Sequence, residues 1–433
     1  MKIHSINIIP KKLGAASIFI LLILLAFSPI VSSEYNFNDN PYTTQEDEDK
    51  ELDLLRSEHY LFVNASDDVD SFYIRFAFPP DYQYQVPILF ELLNDSTAEV
   101  LNYHIEDDKN EPNKVVNFTI GPMSKDEMVS IHFNYWVLVK NHEYEDLPEK
   151  VKIPKRRELP EETKIWLTPT SVVQSRSILI HLRARQLRGI SNNLIRFASR
   201  VAKFTRIHRY GLFLLQLWTG TFGSQDAITT LLRNGECPGR SHLGCALFRS
   251  QKVPARVILA NPSNRFWYQI HCMTEFYLPE YGWVLTEVHK GIMPYEPKNQ
   301  IIVRICYPED EEDTHPDFFF QRMDGIEYWF WIDEENVSPC YKDLVEGSKS
   351  NMFIESEVFT DSFTAEFAFF MTKAVFHQYE YYLGMNLTGE NLDHFQNATG
   401  FQKQAIDELI DYNPDDYIYY IDRAYDEYKL IDL

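Results

Sequence analysis

Glycine is scarce in this chain, 16 of 433 residues, while there are 26 Tyr and 30 Phe. That balance excludes a collagenous or flexible Gly-rich chain and favours packed sheet and helix. Cysteine is scarce too: five residues cannot staple a chain of this length, though they suffice for one nucleophile and a bridge or two. Positive charge is in deficit, with 41 Lys+Arg against 64 Asp+Glu and a formal charge of −23. Such a chain repels phosphate backbones, which disfavours generic nucleic-acid binding. After the N-terminal segment no second apolar run of about 18 residues occurs, which excludes a multi-pass membrane protein. No Cys/His grouping has zinc spacing and no glycine loop could cradle a phosphate, so neither metal nor cofactor is expected. The run Asp310-Glu311-Glu312-Asp313 lacks the glycine of an EF-hand loop and reads as a solvated loop.

What is present fits a globular protein of two or three domains, with 45% hydrophobic and 24% charged residues. Lys2, Lys11 and Lys12 precede an uncharged apolar run from Leu13 to Val31, followed by Ser32 and Ser33. Residues 1–33 therefore read as a secretory signal peptide cut after Ser33, or as an N-terminal anchor that is retained. Either reading makes the protein secreted or extracytoplasmic, with membrane contact only through that segment. Asn-x-Ser/Thr triplets at Asn64, Asn94, Asn117, Asn336, Asn386 and Asn397 could carry glycans on an exported chain.

Residues 34–55 are polar, contain Glu46-Asp47-Glu48-Asp49, and read as an acidic linker. From 56 to 142 the pattern is period two. Phe72, Ile74, Phe76 and Phe78 alternate with Tyr73, Arg75 and Ala77, and Val129 to Val139 repeats the alternation. An antiparallel β-sandwich is expected, with His132 on its surface. Residues 141–164 carry Pro148, Pro154 and Pro160 and read as an interdomain connection.

The period then changes. Leu194, Phe197, Ala198, Val201 and Phe204 share a helical face behind Asn192 or Asn193 as cap. A second helix is expected from a Ser224 cap, with Asp226 in its first turn, to about Gly235. Strand-like runs follow at 253–260, 266–278, 282–288, 301–307 and 326–332. That order predicts an α+β domain over 165–340, with helices packed on an antiparallel sheet. The C-terminal region, 345–433, is acidic and aromatic, with helices expected at 361–383, 401–412 and 415–430. Its tyrosines are assigned to packing, as a cap on the catalytic domain, rather than to a partner.

Chemistry concentrates at Gly235-Glu236-Cys237-Pro238-Gly239-Arg240-Ser241. A proline at the first helical position and the stripe Leu243, Ala246 and Leu247 put Cys237 at the N-cap of a buried helix. The helix dipole and free N–H groups there favour a thiolate and could receive an oxyanion. His271 opens the strand-like run to Tyr277. Glu287 lies beyond a turn at Pro279–Gly282, so a hairpin should set it opposite His271 as the carboxylate that orients an imidazole.

These residues carry a resemblance. Gly235, Cys237, Ser241, Leu243, Ala246 and Leu247, then Pro254-Ala255-Arg256, then His271, Glu275, Tyr277, Leu278, Pro279, Gly282, Trp283 and Val284 stand in the order and register of the transglutaminase-like superfamily. In particular they resemble its exported, cysteine-peptidase-like archaeal and bacterial members. The likeness covers residues 224–288 firmly and 165–340 loosely. It implies a papain-like catalytic domain with Cys237, His271 and Glu287 as its catalytic residues. Glu287 stands where the family usually has Asp, Lys252 where it has Gly, and Cys272-Met273 where it has Ala-Trp. His242 is expected to be a packing or surface residue, and Arg256 a structural cation paired with a carboxylate. Cys245, Cys272, Cys306 and Cys340 could form two disulfides or remain free thiols.

The expected function is acyl transfer on peptide or carboxamide bonds of a protein or peptide substrate, through a Cys237 thioester. Water is the expected acceptor, making a protease or amidase rather than a cross-linker, because no lysine-binding feature stands out. The alternative is an eroded, non-catalytic extracellular binding module of the same fold. Oligomeric state is left open.

Overall fold

Aromatic alternation builds the first layer pair. In the computed structural model the described residues are 52–65, 67–140, 144, 147–261, 271–296, 300–311, 326–329, 352–358 and 362–432. The leader at 1–33, residues 34–51 of the linker, the Asn336 triplet, Cys340 and Glu312-Asp313 lie outside them. Six strands come first: β1 (Leu52–Ala65), β2 (Phe72–Phe78), β3 (Gln85–Leu92), β4 (Val100–Asp107), β5 (Lys114–Ile120) and β6 (Met128–Lys140). β3, β6 and β1 form one antiparallel sheet, and β2, β5 and β4 another. Inward aromatics fill the space between them, Phe76 and Phe118 meeting Phe133 at ring distances of 5.2 and 5.4 Å. Such pairs prefer offset or edge-on contact and add about 1 kcal/mol each beyond their buried area.

Two strands from late in the chain, β11 (Ile326–Trp329) and β12 (Met352–Val358), pair with β1 on the same sheet. The described part of the 326–332 run, residues 326–329, therefore joins the sandwich rather than the α+β domain, and the C-terminal region contains a strand. The linker ends earlier than expected, since Leu52, Leu54 and Leu55 are already buried in β1. His132 is buried instead of exposed: its Nδ1 lies 2.6 Å from Asp95 and its Nε2 2.9 Å from Glu58. Alternation separates the two faces of a strand without saying whether the outer face is covered.

Helices α1 (Ile178–Arg188), α2 (Leu194–Ile207), α3 (Tyr210–Thr219), α4 (Ala227–Leu232) and α5 (Cys237–Ser250) come next. Asn193 caps α2 by accepting from the N–H groups of Ile195 and Arg196. Asp226, rather than Ser224, caps α4, accepting from Ile228 and Thr229. α1 and α3 show no clean apolar stripe, because their inward faces include Arg183 and Gln216. The second sheet runs β10-β7-β8-β9, from β7 (Ala255–Asn261), β8 (His271–Leu278), β9 (Gly282–Thr286) and β10 (Ile301–Ile305). α5 lies across it so closely that a Cβ on Gly244 would sit 3.1 Å from Val288 and 3.2 Å from Thr274. This is the α+β, helix-on-antiparallel-sheet arrangement that the order of periods predicts.

The sandwich and this domain are joined by buried polar groups. Gln85 and Asn113 each use one side-chain amide to complete the backbone of β10, bonding both N–H and C=O of Ile302 and of Ile305 at 2.8 Å. Asp310 and Glu311 are buried rather than solvated. Glu311 pairs with Arg249, and Asp310 sits 3.4 Å from Arg304. A run of four acids looks solvated in sequence because its partners are remote.

The last three helices, α6 (Ser362–Tyr382), α7 (Glu390–Ile410) and α8 (Pro414–Lys429), pack on the sandwich and not on the catalytic sheet. Phe376 stacks on Phe78 at 5.8 Å, the Tyr379 hydroxyl donates to the Phe90 carbonyl at 2.7 Å, and Gln402 donates to that of Ile88 at 2.7 Å.

The deepest junction centres on Arg256. It lies directly opposite Glu275 in the β7–β8 ladder and donates to it at 2.8 Å. Its guanidinium lies 3.8 Å from the Trp283 ring centre. From the sandwich, the Tyr82 hydroxyl approaches both Glu275 oxygens at 2.9 Å. Removing one member of such a pair strands a buried charge. Glu275→Ala should therefore lower the unfolding free energy by about 3–5 kcal/mol, and Tyr82→Phe by about 1 kcal/mol. Urea denaturation followed by circular dichroism checks both, and equal, small losses would contradict the ranking.

Candidate active site

Cys237 begins α5. Glu236 is the N-cap, so the cysteine occupies the first helical position and Pro238 the second, one place later than expected. The glycines on either side of it are steric: a Cβ on Gly235 would meet the Thr230 hydroxyl at 2.6 Å, and one on Gly239 would meet that hydroxyl at 2.5 Å and the Gln225 side chain at 2.6 Å. Those contacts hold the start of α5 against α4. The thiol is half-buried, while Cys245, Cys272 and Cys306 are buried and free. Among the described residues there is no disulfide.

His271, the first residue of β8, and Glu287, just past β9, come together, with Nε2 bonded to a Glu287 carboxylate oxygen. They are not opposite one another. The register that pairs Thr274 with Thr286 sets Met273 across from Glu287, so the contact is diagonal on one face of the sheet. The longer glutamate side chain suits that diagonal. Its other oxygen accepts from the N–H groups of His289 at 2.8 Å and Lys290 at 3.4 Å, in the turn closed by the Glu287–Ile292 bridge. The carboxylate is fully buried and the His271 side chain is 16% exposed. With Nε2 engaged, the ring presents Nδ1 as its other nitrogen, and the ring hydrogen-bonds Cys237.

The electrostatics separate the four thiols. Cys237 is held well below the ordinary thiol range, first by a hydrogen bond from the Cys272 thiol, with burial opposing and the His271 bond and charge adding; the Cys272 backbone also donates. Cys272 is pushed up by the same shared bond and by burial. Burial lifts Cys245 to about 12. Burial disfavours a charged His271, yet the Glu287 charge and the bonds to Cys237 and Glu287 raise it to about 10. Glu287 is lowered because the imidazolium outweighs its burial. The arrangement is a thiolate–imidazolium–carboxylate line at a helix N-terminus.

Two neighbours, Arg240 and His289, escaped the sequence, while Cys272 was expected near the site but given no role in it. Period two puts Cys272 on the face opposite His271, which hides their shared contact with Cys237. Arg240, buried on α5, bonds the carbonyls of Gly235, Thr205 and Arg206 at 2.8–3.0 Å, capping the end of α2 while adding positive charge near the thiol. His289 stands edge-on to His271, with ring centres 6.4 Å apart. A buried Arg three places after a cysteine was the one readable signal. His242 is a packing residue, its Nδ1 2.6 Å from the Gln225 carbonyl. Arg256 pairs with Glu275, as expected.

The shifts set a pH window. His271, raised, contributes stability that is complete below about 6.5 and is lost as pH rises through about 10. Glu287, lowered, contributes stability present above about 4.3 that is lost as pH falls. Iodoacetamide alkylation of Cys237 should therefore reach its plateau well below the free-thiol midpoint of about 8.5. Glu287→Gln and Cys272→Ala should each move the alkylation midpoint upward, the first by at least about one unit. Rates measured against pH, with unchanged midpoints in both variants, would contradict the charge line.

Comparison with curated proteins finds no match. Among solved structures, a protein from Cytophaga hutchinsonii described as a candidate cysteine protease is 15% identical, with a TM-score of 0.46 over 70% of this chain and 97% of that one. The family model of the transglutaminase-like superfamily matches residues 183–288, the stretch from within α1 to just past β9 that contains Cys237, His271 and Glu287.

Proposed function

We propose that the protein is an exported cysteine enzyme that hydrolyses peptide or carboxamide bonds through a Cys237 thioester. The observation that carries the reading is the line of Cys237, His271 and a fully buried Glu287 held by its own turn. Burying a carboxylate costs several kcal/mol unless a cation and hydrogen bonds compensate it. Here the compensating cation is the imidazolium that the chemistry uses.

In the proposed cycle the Cys237 thiolate attacks the carbonyl carbon of the scissile amide. The carbonyl electron pair moves to oxygen, where N–H groups at the start of α5 and the Cys272 N–H lie nearest the sulfur. His271 gives its proton to the departing nitrogen as the C–N bond breaks, leaving a thioester and a free amine. Neutral His271 then takes a proton from water as the oxygen attacks the thioester. Collapse of the resulting oxyanion breaks the C–S bond, releases a carboxylic acid and expels the Cys237 thiolate, and the proton kept on His271 restores the starting thiolate–imidazolium pair. Glu287 keeps Nε2 occupied throughout and leaves Nδ1 to exchange protons.

Arg240 and Lys290 flank this line and oppose the approach of a lysine ammonium, which supports water as the acceptor over an amine. A half-buried thiol held well below the ordinary thiol range is also poor support for the eroded, binding-only reading, which needs no thiolate.

Cys237→Ala should keep the fold and lose all labelling by a thiol-directed acyl probe. With a peptide and amide library, the wild-type protein should release acid and amine in equal amounts. Added primary amines should compete only weakly. Probe labelling retained in the alanine variant would remove Cys237 from the chemistry, and amine conjugates dominating the products would replace hydrolysis with cross-linking.

A further inference from the structure

Between Glu162 and Asp226 the chain contains no acid at all, yet it carries ten Lys and Arg residues. All 64 acids of a chain with formal charge −23 lie elsewhere. Within this stretch sits α3, whose outward face is apolar. Its inward positions are Phe213 and Gln216, a ring and an amide. Leu214, Leu215 and Leu217 are 47–51% exposed, and Trp218 is 85% exposed. A helix at the surface of a soluble protein normally has the reverse pattern, and an outward apolar face of this kind marks an interaction surface.

We propose that α3, together with the cationic stretch that leads into it, docks this protein on an anionic lipid surface. Leu214, Leu215, Leu217 and Trp218 would lie at the level of the headgroups and upper acyl chains. Lys203 and Arg206, exposed on the last turns of α2, would lie against the lipid phosphates. Three features favour lipid over a protein partner. Exposed leucine and tryptophan beside arginine and lysine is the composition of an interfacial helix. At ten residues, about 15 Å, α3 can lie in the interface and cannot span a core of about 30 Å. An anionic membrane repels the acidic remainder beyond the N-terminal segment, so this stretch is the part of the folded chain drawn to it by charge, and the orientation is set. The docking stands on surface composition and does not depend on the acyl-transfer reading. Its geometry does reach the site: Phe213, on the inner side of α3, lies under Arg240 at 4.8 Å and against His289 at 5.8 Å. The half-buried thiol would face substrates held at the membrane.

The test uses the full chain and vesicles of phosphatidylcholine with an equal share of brominated phosphatidylglycerol, following tryptophan emission. Quenching is expected with wild type, and Trp218→Phe should lose most of it while still binding. Leu214→Glu with Leu217→Glu should abolish quenching of Trp218. Lys203→Glu with Arg206→Glu should weaken partitioning at least about tenfold, as should raising salt. Circular dichroism and Cys237 alkylation report that the variants fold. Because the readout is at Trp218, insertion of the Leu13–Val31 run elsewhere in the bilayer does not mimic it. Quenching that survives Trp218→Phe unchanged would overturn the proposal, and so would equal partitioning into vesicles of brominated phosphatidylcholine alone. An unquenched Trp218, with lipid-free self-association that the two leucine substitutions disperse, would overturn it in favour of a second copy of this chain.

Discussion

A single buried charge pair governs how the rest of this molecule is put together. Arg256 and Glu275 face each other across β7 and β8, and both are dry. In low dielectric neither charge tolerates separation, so the strands cannot slip by one residue without stranding both. Glu275 is four places along β8 from His271, and that distance along a strand preserves the face. A register set at Glu275 is therefore a register set at the imidazole. The Tyr82 hydroxyl, arriving from the sandwich, adds one donor shared between the two carboxylate oxygens. Trp283 and Trp166 close over the guanidinium at 3.8 and 5.0 Å. The β-sandwich is thus part of the support of the catalytic sheet.

The site is the second tier of the same logic. Glu287 has no water to stabilise its charge, and its compensation comes from three donors: the imidazole, the His289 N–H and the Lys290 N–H. Two of the three are backbone groups of its own turn, so the carboxylate is oriented before the histidine meets it. That preorganisation is what makes a raised His271 compatible with a buried position. The cysteine is treated oppositely to its neighbours. Burial first, with the charges of Glu311 and, for Cys306, Asp310 adding, keeps Cys245 and Cys306 protonated, whereas Cys237 gains a donor from Cys272 and a cation from His271. The Cys272 donor depends on one of the positions where this chain departs from the superfamily pattern. The departure feeds the thiolate and does not erode it.

What could be read from sequence follows from how far apart the interacting residues lie. The α+β layout, α2 with its Asn193 cap, the hairpin around Pro279–Gly282 and the α5 stripe all rest on near neighbours, and each is visible as a period or a turn. Cys237 and His271 were reachable because a helix start and a strand start are themselves local signals. Cap positions and the His271–Glu287 register missed by one or two residues, which local patterns do not resolve. The larger errors are of burial: His132, Asp310 and Glu311 look solvated in sequence, and they are covered by Glu58, Arg304 and Arg249. β11 and β12 look like part of the later regions, and they pair with β1 from the other end of the chain. Of the tyrosines of α6 to α8, Tyr379, Tyr417 and Tyr428 are packing residues, while Tyr381 and Tyr419 are exposed. Which surface they pack on is a long-range fact that no local pattern carries.

α3 connects the two halves of the functional argument. Its inner ring, Phe213, sits on the Arg240 guanidinium, and Arg240 holds the last carbonyls of α2 while lending positive charge to the cysteine. A cation over a desolvated ring is worth about 2 kcal/mol, and burial already brings Arg240 down to about 10. The position of α3 therefore enters the electrostatics of the thiol directly. Gly220 ends the helix in the left-handed region, with φ 63°, and Arg209 begins it at φ 49°. A displacement of α3 would reach Cys237 by two routes, through Arg240 and through His289, whose backbone N–H holds Glu287.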